Sequence, residues 1–181
     1  MAELKIEFFG SPALRRKAKE VVEIDDELRT LIAGMYEAMY EAEGVGLAGP
    51  QVGVSKRVLV IDVKEEAHPR FTLINPKIVD LGKETEKDEE GCLSIPGVSA
   101  LVERFTTVTV EALDEHGQPF RLEAEGLLAR CIQHEVDHLD GVLFIDHLSA
   151  LKRSMLVKKY KSTQAEEASG SRDRPPARRS G

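Results

Sequence analysis

The chain has 181 residues, 41% of them hydrophobic and 31% charged, with a formal net charge of -7; this fits one ordinary domain with a tail. No stretch approaches the roughly 20 apolar residues of a membrane-crossing helix, and the acidic start "MAELKIEFFGSP" does not read as a secretory signal. Two cysteines, Cys92 and Cys131, are too few for a disulfide framework, so a reducing, cytoplasmic setting is expected. The charge is uneven: nine Lys and Arg against three Asp and Glu give +6 over 149–181, which leaves -13 on residues 1–148.

Residues 25–43 place Leu28, Leu31, Ile32, Met35 and Met39 at the spacing of one helical face, with Asp25 or Asp26 available as the cap. The run "GVGLAGPQVG" (44–53) stops that helix and leads into a strand, "RVLVIDV" (57–63). Further strands are expected at 71–76 and 77–81, broken at Asn75-Pro76, followed by an exposed acidic connection over 84–90. The Val- and Thr-rich stretch 101–113 reads as one strand, returning through the turn "DEHGQP" to a second at 120–126. A helix follows at 127–139 with Leu128, Cys131 and Ile132 on or beside its apolar face, then a last helix at 149–164 that docks through Leu151, Met155 and Leu156. The remainder, 165–181, is polar and expected to be disordered. The fold class is therefore α+β: antiparallel strands around a central helix, with an N-terminal and a C-terminal helix, all within residues 1–164.

The central helix carries H-E-x-x-H. Residues four apart share a helical face, so His134 and His138 can present their rings to one ion while Glu135 sits beside them to handle a water proton. The bland alternative is a solvated helix with spare histidines. A hydrolytic metal site needs three protein ligands and an open position. The longer metzincin pattern fails, because Phe144 stands where its third histidine belongs. Glu166 and Glu167 lie in the polar tail. Cys131 is seven residues from His138, about 10.5 Å of helix rise, too far for one ion with bonds of about 2.0–2.3 Å to collect both along with His134. Cys131 is thus expected in the core, and Cys92, in the Gly-flanked turn "EGCLS", is the expected third ligand.

Three segments, "GVGLAGPQ" (44–51), "EGCLS" (90–94) and "QHEVDHLDG" (133–141), together resemble the motifs of the peptide deformylase family, and the likeness runs over roughly residues 5–162. The resemblance implies that Cys92, His134 and His138 bind the metal and that Glu135 is the acid/base. It implies that Gln51, through its side-chain amide, and Leu93, through its backbone N–H, address the oxygen of a formyl carbonyl. Gly44, Val45, Gly46 and Gly91 would hold the substrate, an N-formyl-methionyl nascent peptide, as an added strand. The implied ion is Fe²⁺, with Zn²⁺, Ni²⁺ or Co²⁺ as substitutes, since His and Cys suit several of these alike. Two positions depart from most or some relatives: Gly49, expected to loosen its loop, and Ser99, where a peptide-binding Arg is absent. The basic last helix, with Lys152, Arg153, Lys158, Lys159 and Lys161, reads either as a solvated face or as a contact for ribosomal RNA. Two rivals remain at this level, a nonenzymatic metal-binding or ribosome-associated module and a peptidase of internal bonds.

Overall fold

A computed structural model describes residues 3–172. Helix α1 spans Asp26–Glu41 and is capped by Asp25, whose carboxylate accepts from the Leu28 N–H at 2.9 Å. The strands follow as β1 (Gly46–Ala48), β2 (Val58–Ile61), β3 (Phe71–Leu81), β4 (Thr85–Cys92), β5 (Ile95–Phe105), β6 (Thr107–Leu113) and β7 (Pro119–Glu125). Helix α2 (Gly126–Leu139) and helix α3 (Ala150–Arg172) complete the chain. Strands β1-β2-β3-β6-β7 form one antiparallel sheet, and β4 and β5 form a separate two-stranded ribbon.

Strand β2 explains why the large sheet sits between helices. Alternate strand residues face opposite sides: Val58 and Val60 join α1 residues Ile32, Met35 and Met39 in one core, while Leu59 and Ile61 join α2 residues Leu128 and Ile132 in another. A strand buried on both faces is apolar throughout, as "VLVI" is. A third core, built on Ile95, Val102, Phe144, Leu156 and Tyr160, fastens the ribbon and α3 to the rest. The expected α+β arrangement around the central helix is thus present.

Several elements differ from their sequence reading. The expected break at Asn75-Pro76 is a bulge inside one strand, β3: Asn75 takes a φ of 50°, and its side-chain amide bonds both the Val21 N–H (2.8 Å) and the Val21 carbonyl (2.9 Å). Asn tolerates that left-handed backbone, and the bulge accommodates a proline that has no N–H to give. The acidic connection over 84–90 is strand β4, whose carboxylates mostly face solvent from an exposed ribbon. The stretch 101–113 divides at Thr106 between β5 of the ribbon and β6 of the sheet. The β6–β7 hairpin forms as expected, its turn fixed by Asp114, which accepts from the His116 and Gln118 N–H groups at 2.9 Å each. The last helix does not end at Gln164; it continues to Arg172, since Ala and Glu at 165–168 propagate a helix already nucleated by docking. It docks through Leu156 and Tyr160, leaving Leu151 and Met155 exposed. Residues 173–181 of the expected tail lie outside the described residues.

Candidate active site

Helix α2 is packed under the sheet by Leu128, Ile132 and Leu139, and this aims its opposite, polar side at the ribbon. His134 and His138 lie on that side one turn apart, their Nε2 atoms 3.2 Å from each other. The end of β4 brings Cys92 across from them, with its Sγ 3.3 Å from His138 Nε2. The ligand-type atoms of Cys92, His134 and His138 all fall within 4.8 Å of one another. Bonds of about 2.0–2.3 Å in a tetrahedral shell demand donor separations of roughly 3.3–3.6 Å, so the trio fits one divalent ion. Burial, with the neighbouring His134, holds the His138 pKa well below the usual histidine value, whereas for His134 burial is outweighed by its bonds to Cys92 and Glu90, which push its pKa well up. Cys131 stands apart from this trio as expected. Its thiol lies 3.7 Å from the Val45 carbonyl, and burial, reinforced by the nearby Glu135 charge, pushes its pKa well up.

Glu135 is 4% exposed, and its Oε2 is buried without a hydrogen-bond partner among the described residues. Burial is the main force that pushes its carboxyl up to about 7; Glu90 adds to the rise and His134 opposes it. A carboxyl poised there can take a proton and give it back near neutrality. Gly46 makes room for it, since a Cβ on residue 46 would come within 2.8 Å of both Glu135 Oε1 and Cys131 Sγ.

Gln51 is fully buried in the short turn Gly49–Val52. Its Oε1 accepts from the Ala48 N–H (3.0 Å), which orients the amide so that Nε2 points at Ser94 Oγ (3.1 Å) and Cys92 Sγ (3.5 Å). Gly49 does not loosen this turn. A Cβ there would lie 2.6 Å from the Lys56 carbonyl, so the glycine permits a tight approach between two backbone segments. Leu93, Gly44, Val45, Gly46 and Gly91 line the same cleft, of about 690 Å³, that Glu135 and His134 open into.

The sequence reading missed the support behind His134. Glu90, two residues before Cys92, accepts from His134 Nδ1–H at 2.5 Å, and so directs Nε2 toward the cluster. Glu90 is itself held by Arg104 and by Arg130, and Arg104 reaches on to Asp137 at 2.7 Å. Burial alone would raise the Glu90 carboxyl, but its bonds to His134 and Arg104 hold it well below the ordinary carboxylate range. Ser94 was likewise unremarked, although it receives the Gln51 amide. Only proximity to the "EGCLS" cysteine marked either residue in the sequence.

An α+β fold whose central helix carries H-E-x-x-H, faced by a cysteine from a neighbouring ribbon and backed by a carboxylate on one histidine, defines a metallohydrolase-type site. The family model described as polypeptide deformylase matches residues 3–154. Among curated proteins, the peptide deformylase of Chromohalobacter salexigens is 52% identical over 159 residues, which cover 88% of this chain and 94% of that one. The crystal structure of a peptide deformylase from Legionella pneumophila superimposes with a TM-score of 0.88 at 45% identity, over 96% of this chain and all of the other. That of a peptide deformylase from Synechococcus elongatus in complex with actinonin gives 0.82 at 50% identity, over 86% of each chain. The chain belongs to the polypeptide deformylase family, a family of hydrolases.

Proposed function

We propose that this protein removes the formyl group from the N-terminal formyl-methionine of newly made proteins, using Cys92, His134 and His138 to hold one divalent ion. The observation that carries the reading is the convergence of these three donors beside a buried carboxyl, Glu135, whose Oε2 has no hydrogen-bond partner among the described residues. When bound, the ion supplies Lewis acidity, which makes water a nucleophile near neutral pH and polarises a carbonyl. Glu135 takes the proton from the water that attacks the formyl carbon. It then gives that proton to the amide nitrogen as the C–N bond breaks, so formate and a free N-terminus leave. The Gln51 amide and the Leu93 backbone N–H donate to the formyl oxygen as it gathers negative charge, each such donor contributing on the order of 3 kcal/mol. Gly44, Val45 and Gly46 on one side and Gly91 on the other hold the peptide as an added strand.

The donor set of two imidazoles and one thiolate accommodates several ions; the reading assigns Fe²⁺, with Zn²⁺, Ni²⁺ and Co²⁺ as substitutes. A newly made formyl-methionyl substrate supports a cytoplasmic setting, and no helix among the described residues is long and apolar enough to cross a membrane. Helix α3 exposes Lys152, Arg153, Lys158, Lys159 and Lys161, which supports a contact with ribosomal RNA near emerging chains. The test of the reaction is formate release from a formyl-methionyl peptide by anaerobically purified protein, with the unformylated twin as control. Formate from the first and no cleavage of the second is expected, whereas cleavage of both would indicate a peptidase.

A further inference from the structure

The N-terminal segment Ile6–Phe9 reaches the active site, although nothing in its composition marks it as functional. Two of its backbone donors act in alternation: the Glu7 N–H bonds the Gln51 carbonyl at 2.7 Å, and the Phe9 N–H bonds the Ser94 carbonyl at 2.8 Å. Gln51 and Ser94 come from separate loops, and the segment bridges them. Side chains alternate along such a segment. Phe9 turns into the body, its ring edge-on to Tyr160 with centroids 5.9 Å apart, and Glu7 lies near Gly53. Ile6 and Phe8 take the other side and line the catalytic cleft.

Phe8 remains 52% exposed, as does Leu127, at 47%, on the same cleft. The catalytic groups, by contrast, are buried at the floor, His134 at 7% and Glu135 at 4%. A formyl group delivered to that floor leaves the rest of the peptide to exit past the mouth. A large apolar ring held out to water there, on a backbone pinned one residue to either side, is a pre-set surface rather than a loose side chain. We propose that Phe8 is a specificity-determining residue that packs against an apolar side chain of the substrate beyond methionine. This rests on the reading of the cleft as a formyl-peptide site. The segment also ties substrate recognition to the Gln51 turn, because the residue next to Phe8 holds the Gln51 carbonyl.

The test compares Phe8→Ala and Phe8→Leu with the parent on two substrates, formyl-methionine amide and a formyl-methionyl peptide that continues with two leucines. Phe8→Ala is expected to raise KM for the longer peptide about tenfold, as expected for the loss of most of one apolar contact, with kcat unchanged and the short substrate unaffected. Phe8→Leu should restore most of the loss. Equal changes on both substrates would show a merely structural role, and no change on either would show that the peptide does not touch the ring; each overturns the proposal. Failure of the parent to release formate from either substrate would instead overturn the reading of the site.

Discussion

Replacing Arg104 with Met tests the buried network behind His134. Arg104 is 5% exposed and contacts Glu90 and Asp137, with Glu90 itself 6% exposed. Methionine fills much of the volume but leaves the Glu90 carboxylate with less compensation. Removing one partner of a buried ion pair costs about 3–5 kcal/mol, and the lower end applies here because Arg130 still bonds Glu90 at 3.0 Å. In a chain of this size, each 1 kcal/mol shifts Tm by about 2–4 °C, so a fall of roughly 6–12 °C is expected. The assay is urea and thermal unfolding of metal-stripped protein, which keeps metal binding out of the comparison. The double variant Arg104→Met with Glu90→Gln should be more stable than Arg104→Met alone, since the buried Glu90 charge is gone while Arg130 keeps the Val102 and Glu86 carbonyls and Asp137 keeps His147. Losses that simply add, or a single-variant loss below 1 kcal/mol, would refute the view of Glu90 as a charge that depends on Arg104.

Gly46→Ala should reduce kcat about a hundredfold, because a Cβ within 2.8 Å of Glu135 Oε1 displaces the carboxyl that must meet the water; steady-state kinetics at unchanged metal content checks this. Asp146 accepts from Arg15 at 2.6 Å and from the Leu143 N–H at 3.0 Å, and although burial opposes the shift, these bonds hold its pKa below the ordinary aspartate value. Its stabilisation is therefore full above the unfolded pKa and lost as pH falls through the folded one. Asp146→Asn should cost about 1 kcal/mol at pH 7, discounted because Arg15 is 40% exposed, and little in strong acid; urea melts at the two pH values decide it.

Local geometry made one part of the site legible in the sequence, while Cys92 followed from elimination and Gln51, Leu93 and the cleft residues from the resemblance of three motifs to a known family. The helical period places His134 and His138 on one face, and helix rise alone separates Cys131 from the pair; its thiol indeed lies against Val45. The α1 cap was equally local. What could not be read depended on partners far along the chain. The carboxylates of β4 look like a solvated loop until β5 pairs with them, and nothing local tells that Glu90 alone among them turns inward to meet Arg104, Arg130 and His134. Asn75-Pro76 reads as a break because its bulge is stabilised by Val21, more than 50 residues earlier. The clip at Glu7 and Phe9 is formed by backbone atoms, which carry no residue signature.

The account turns on Glu135 as the group that moves the proton while Cys92, His134 and His138 hold the ion. Glu135→Gln removes the base but keeps the shape and leaves the three donors in place. The direct measurement is metal content per chain together with formate release from a formyl-methionyl peptide, both on anaerobically purified protein. One ion per chain with kcat lowered about a hundredfold to ten-thousandfold is the expected result; near-normal formate release by the metal-loaded variant would contradict the account.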